Sequence, residues 1–188
     1  RRRTGQDRSA WQSPGRVGRD YPLQHVDARL RRGGAVADED GFWFEDMHPG
    51  RVLQSAGGIR LDAEAISAFA RQFDPHPAHL SEATAKTTMF GRQCASGWHT
   101  GSVTIRLITE ILHVHGGGAG VGIERLRWLK PVYPGDELRV RIEIQATRPS
   151  RSRPGAGLVT YRCTTLNQHG ETVQEFTTTI LMPRRDAR

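Results

Sequence analysis

The chain has 188 residues, 36% of them hydrophobic, and a mean hydropathy of -0.57, which suits one ordinary domain with part of the chain outside its core. No apolar run is long enough to span a bilayer and the Arg-rich start has no apolar signal core, which argues against a spanning segment and Sec-type export. The two cysteines, Cys94 and Cys163, exclude a framework of several disulfides and a Cys-only zinc site, and suit a reducing cytoplasm.

The formal charge of +7 is located at the ends. Residues 1–34 hold nine Arg against three Asp, and residues 184–188 hold three Arg against one Asp. The excess therefore describes tails and gives no reason to expect a nucleic-acid or membrane partner for the folded body. Residues 1–40 follow neither a helical nor a strand period and read as a disordered basic extension. Residues 41–183 are expected to form a single domain and residues 184–188 a basic tail.

From Phe42 the aromatic run leads through Val52 and Leu53 to a glycine pair before Ile59 and Leu61, a pattern of an edge strand and a turn. Asp62 then caps a helix of about three turns whose face is Ala65, Ile66, Phe69, Ala70 and Phe73. That helix ends at Asp74-Pro75-His76-Pro77-Ala78-His79, where each proline removes a donor and biases the preceding residue out of the helical region. Ser81 is placed to cap a short helix from Glu82 to Thr88. The longest helical pattern runs from Trp98 to about His113, with apolar stripes at Gly101, Ile105, Ile108 and Leu112 and at Val103, Leu107 and Ile111. Only His99, Arg106, Glu110 and His113 form a polar strip, and Trp98 reads more as core than as a pocket residue, so the helix is expected to be enclosed on most sides.

The remaining chain supplies strands. Val121 to Leu129 is followed by the turn of Pro131-Val132-Tyr133-Pro134-Gly135-Asp136. Leu138, Val140, Ile142 and Ile144 then alternate with charged residues at a period of two. A polar loop is expected from Arg148 to Gly157, then a strand from Leu158 to Leu166, a turn at Asn167 to Gly170 and a last strand from Thr172 to Met182. A long, largely apolar helix followed by antiparallel strands implies an α+β hot-dog fold, a curved antiparallel sheet wrapped around a long central helix.

The chemically informative stretch is Asp74 to His79. A carboxylate and an imidazole on a segment stiffened by two prolines lose little further entropy on being fixed, as a general acid/base pair requires. The same residues also fit a surface turn in which Asp74 accepts backbone donors and His79 is solvated. Between those alternatives, residue types alone do not decide.

In order along the chain, Phe73-Asp74-Pro75-His76-Pro77-Ala78-His79, Phe90-Gly91, Ala95-Ser96-Gly97-Trp98-His99-Thr100 and Lys130-Pro131-Val132-Tyr133-Pro134-Gly135-Asp136 resemble the MaoC-like hydratase/dehydratase family, which includes the (R)-specific enoyl-CoA hydratases. The resemblance spans about Phe42 to Met182. It implies a lyase that adds water to trans-2-enoyl thioesters or dehydrates 3-hydroxyacyl thioesters, with Asp74 and His79 as the catalytic pair and the Gly97 amide as donor to the thioester oxygen. It also implies that no metal or redox cofactor is needed, that the acyl group is carried by CoA or a carrier protein in fatty acid metabolism, and that the protein is a homodimer or higher homo-oligomer. Hydratases of this family commonly have Asn where this chain has His76. His76, Ser96, Trp98 and His99 are candidate substrate-binding residues by their place beside the pair and the glycine.

Other signals are weaker. The histidines at 76, 79, 99, 113 and 115 lack metal-ligand spacing on one helix face. Gly116 to Gly120 follows a helix, the reverse of a phosphate loop. Cys94 has no neighbour in sequence that would activate its thiol. Two alternatives to a hydratase are a catalytically inactive hot-dog acyl-thioester binding or assembly subunit and an acyl-CoA thioesterase. A thioesterase would want its base on the central helix, and Glu110 lies about four turns from Gly97.

Overall fold

The computed structural model describes residues 41–185. The basic extension expected over 1–40 lies outside the described residues, as do the last three residues of the tail. After a 3-10 turn at Phe44–Asp46, the elements are β1 (Val52–Gln54), β2 (Ile59–Arg60), α1 (Ala63–Phe73), α2 (Pro77–Leu80), α3 (Glu82–Ala85), α4 (Gly97–Ile111), β3 (Ala119–Trp128), β4 (Glu137–Pro149), β5 (Ala156–Leu166) and β6 (Thr172–Pro183). Among the described residues the strands form one antiparallel sheet in the order β1-β4-β5-β6-β3, with β2 also on β4.

The period of two in β4 places Leu138, Val140, Ile142 and Ile144 on the inner face, and all four are buried. They join Val159, Tyr161 and Cys163 of β5, Val173 and Phe176 of β6, Leu107 and Ile108 of α4, and Leu112 at the C-cap of α4 in one core. This is the hot-dog arrangement, an antiparallel sheet around a central helix, and the sheet is not closed. Sheet and helix hold each other because each buries the apolar face of the other.

Several elements differ from the sequence expectation. The edge strand and turn expected between Phe42 and Leu61 are present as β1, at the sheet edge on β4, and the turn before β2, but the aromatic run itself contributes only a single bridge from Phe42 to Val114, because Asp46 accepts the Trp43 amide at 2.8 Å and folds the chain into the 3-10 turn. The short helix after Ser81 ends at Ala85. The loop expected from Arg148 to Gly157 shrinks to 150–155, because β4 and β5 continue pairing out to Pro149 and Gly157. Arg184 and Arg185 do not trail as a tail: they pair with Glu45 at 3.1 Å and Asp46 at 2.7 Å.

Nor is α4 enclosed on most sides in one chain. Thr100, Thr104, Leu107 and Ile108 face the sheet, while Trp98 is 59% exposed and Ile105 47% exposed. A single sheet covers one side of a helix, so Leu107 of the second stripe is buried while Ile105 of the first is left facing out. Strand β3 lies at the sheet edge beside it, with Val121 and Ile123 exposed.

Candidate active site

Local geometry in the segment after α1 follows from its prolines and caps. Asp74 closes α1 with its amide on the Ala70 carbonyl at 3.0 Å. Pro77 occupies the first turn of α2, where a missing N–H costs nothing. His76 is the N-cap of α2, its Nδ1 accepting the Ala78 amide at 3.3 Å. The turn thus places His79 one helical step beyond the cap, with its own amide on the His76 carbonyl at 2.9 Å.

The loop before α4 runs alongside and fixes the His79 ring. The Cys94 amide donates to the Ala78 carbonyl at 3.0 Å, and His79 Nδ1 lies 2.8 Å from the Cys94 carbonyl. A carbonyl only accepts, so Nδ1 carries a proton and Nε2 is the ring nitrogen left to exchange one. That Nε2 faces Asp74 Oδ2 at 3.7 Å, beyond hydrogen-bond length. The two groups therefore face each other without a direct hydrogen bond. The His79 side chain is 12% exposed and the Asp74 side chain 34%.

Ser96 couples this pair to the central helix. Its hydroxyl donates to Asp74 Oδ2 at 2.6 Å and accepts the Trp98 amide at 3.1 Å as the N-cap of α4. Gly97 is then the first residue of α4, where free backbone N–H groups and the helix dipole favour negative charge. The Ser96 carbonyl belongs to the same peptide unit as the Gly97 N–H. It accepts from both the amide and the hydroxyl of Thr100, at 3.0 and 3.3 Å, which polarises that unit toward donation.

His79, Gly97, Thr100, Trp128, Leu129 and Val132 line a cleft of about 290 Å³. The Pro131-Val132 segment holds its wall: the Ala95 amide donates to the Val132 carbonyl at 2.8 Å, and Val132 is buried. Of the expected site residues His79 and Gly97 line this cleft, whereas Asp74, His76, Ser96, Trp98 and His99 do not. Gly97 and Thr100 share the helix face turned to the sheet, and the 100° advance per residue carries residues 98 and 99 away from it. His99 is instead buried, stacked on Phe69 with ring centroids 4.6 Å apart, and its Nδ1 has no hydrogen-bond partner among the described residues. Desolvation there lowers its pKa to about 4. Trp98 meets Trp128 edge-on at 5.3 Å.

The other candidates are also accounted for. Burial raises the Cys94 thiol pKa, so Cys94 is a packed residue of the cleft wall and not an activated thiolate. Glu110 pairs with Arg106 at 2.6 Å on the exposed side of α4. Among the described residues no three His, Cys, Asp or Glu side chains gather into a metal-binding group, and no helix is long and apolar enough to cross a membrane.

Sequence reasoning missed three residues that build the site. Gln93 is buried and ties the segments together, its side-chain amide donating to Ser67 Oγ at 2.9 Å and to the His79 carbonyl at 3.2 Å. Trp128 lies against Gly97 with its indole N–H on the Gly97 carbonyl at 2.9 Å. Gln174 receives the same indole N–H at 2.8 Å. These contacts join residues far apart in the chain, and no local pattern marks them.

A family model described as a MaoC like domain matches residues 46–167. The chain is 31% identical over 142 residues to the uncharacterized protein YdeM of Bacillus subtilis, a match covering 75% of this chain and 99% of that one. It is also 31% identical over 146 residues to the (R)-specific enoyl-CoA hydratase of Rhodospirillum rubrum, covering 76% and 93% respectively. The crystal structure of the MaoC-like dehydratase from Rhodospirillum rubrum is 44% identical, superimposes with a TM-score of 0.73 and covers 77% of this chain and 99% of that chain.

Proposed function

The chain belongs to the MaoC-like domain family, and from that membership we propose that it hydrates trans-2-enoyl thioesters, or dehydrates 3-hydroxyacyl thioesters in the reverse direction. The observation that carries this proposal is His79, which lines the cleft together with Gly97 and whose Nε2 stands 3.7 Å from Asp74 Oδ2. Addition of water needs a base for the water proton, an acid for the α carbon and a donor for the thioester oxygen. Those three roles fall on the pair and on the Gly97 amide.

In the forward direction a water held between Asp74 and His79 bonds through oxygen to the β carbon of the enoyl group. One proton of that water passes to the pair, and the π electrons shift toward the thioester carbonyl, whose oxygen gains negative charge beside the Gly97 N–H. The α carbon then takes a proton from the pair, and the C=C bond has become C–C with OH at the β carbon and H at the α carbon. Ser96 keeps the Asp74 carboxylate in place by its hydrogen bond at 2.6 Å. His76 acts as the cap of α2, so it supports His79 and not the acyl group.

We further propose a homodimer. The exposed Ile105, Val121 and Ile123 border an apolar groove of about 820 Å³ along the edge of β3, which no strand among the described residues pairs, and a second copy would cover both the groove and the edge. The two unpaired cysteines suit a reducing cytoplasm, and the substrate chemistry suits fatty acid metabolism. The deciding experiment adds the protein to crotonyl-CoA and follows the near-ultraviolet absorbance of the conjugated thioester alongside free thiol. Loss of absorbance without thiol release supports hydration. Thiol release would indicate a thioesterase, and neither change an inactive thioester-binding subunit.

A further inference from the structure

Trp128 ends β3 directly opposite Gln174 on β6. Its indole N–H donates both to Gln174 Oε1 at 2.8 Å and to the Gly97 carbonyl at 2.9 Å. An indole nitrogen only donates, so the Gln174 oxygen must be the acceptor and its amide nitrogen is left to donate. It does so to Thr104 Oγ1 at 3.2 Å. Thr104 in turn donates to the Thr100 carbonyl at 2.8 Å and meets the Thr165 hydroxyl at 2.8 Å. Because the single Thr104 proton goes to Thr100, Thr165 is the donor in that last bond. Every role in the relay is thereby determined.

Gln174, Thr104 and Thr165 are each 0% exposed. Polar side chains so deep are expensive unless fully paired, and apolar residues would fill the same space without that cost. The relay leads to Gly97. A Cβ added to Gly97 would stand 2.5 Å from the Trp128 ring, so the indole rests directly on the glycine backbone. The Thr100 bonds to Ser96 hold one side of Gly97, and the indole holds the other.

We infer that Trp128 is a positioning residue for the reaction in the cleft: it clamps the first turn of α4 so that the Gly97 N–H keeps its aim, and the buried Gln174–Thr104–Thr165 relay fixes the indole. The catalytic part of this inference rests on the hydratase function proposed above, whereas the clamp itself is a property of the folded chain.

The test uses the full chain with crotonyl-CoA as the probe. Trp128→Phe keeps an aromatic wall and removes the N–H, and kcat should fall roughly 10- to 100-fold with KM changed less than about threefold. An unchanged kcat, or a raised KM at constant kcat, would make Trp128 a mere wall and overturn the inference. A second measurement needs no substrate. Hydrogen exchange of the indole N–H groups, followed by NMR, should be about 10²-fold slower for Trp128 than for exposed Trp98, with most of that protection lost in Gln174→Met. Equal exchange rates would overturn the clamp even if the protein is an active hydratase. A wild-type protein that does not hydrate crotonyl-CoA would sink the hydratase function and the catalytic role together, leaving the clamp to be decided by exchange.

Discussion

His99 offers a stability experiment whose size can be worked out in advance. Its imidazole is buried against Phe69, its Nδ1 has no partner among the described residues, and desolvation lowers its pKa from 6.5 to about 4. The unfolded chain solvates the ring and binds a proton near the ordinary value, while the folded chain resists protonation. Above pH 6.5 both states are neutral and nothing is lost. As pH falls from 6.5 toward 4, only the unfolded state gains the proton, so stability drops through that window. Between pH 7.5 and pH 5.0 this amounts to about 2 kcal/mol. His99→Phe keeps the stack on Phe69 and removes the titrating nitrogen. Urea unfolding of both proteins at the two pH values should show the wild type losing about 2 kcal/mol more than the variant on acidification. The variant should also be more stable by about 1 kcal/mol at pH 7.5, because the unpaired buried nitrogen is gone. Equal losses in the two proteins would refute a buried, neutral His99.

Three further substitutions probe the site. Gly97→Ala drives a methyl group to within 2.5 Å of the Trp128 ring, so steady-state kinetics should show kcat reduced about 10²-fold as the first turn of α4 shifts; near-native kcat would mean that Gly97 is not closely packed. Ser96→Ala removes both the α4 cap and the hydroxyl on Asp74, with an expected loss of about 1 kcal/mol in chemical denaturation and about tenfold in kcat. In His76→Asn the side chain still caps α2, so activity should stay within about threefold and thermal unfolding near that of the wild type; a large loss would give the His76 imidazole a role beyond capping.

Local rules made much of the fold legible. Asp62 and Ser81 cap the helices they were expected to cap, and the strict alternation of Leu138 to Ile144 located β4 and its buried face. What failed were statements about which neighbour covers an apolar surface. The stripes of α4 were visible, but hydrophobicity does not say whether the covering surface belongs to the same chain, and Trp98 and Ile105 remain exposed. His99 was placed with the polar strip because its side chain ionises, yet stacking on Phe69 buries it.

At the site, the prolines around His76 signalled a rigid turn, and the ordered motifs pointed to Asp74, His79 and Gly97 together. The sequence held no sign that Ser96 reaches Asp74, because that bond depends on how α1 and α4 meet in space. The indole of Trp128 was equally silent. Its contact with Gly97 requires β3 to end over the first turn of α4, a consequence of sheet register that no local pattern records.

The most direct test of the central claim is the initial rate of crotonyl-CoA hydration by wild type and Asp74→Asn under identical conditions. The amide keeps the size of the carboxylate and removes its basicity, so hydration by the wild type and a loss of about 10²-fold or more in kcat for a variant with native thermal unfolding is the predicted result. An Asp74→Asn protein that hydrates crotonyl-CoA as fast as the wild type would contradict the assignment of Asp74 and His79 as the pair that moves the protons.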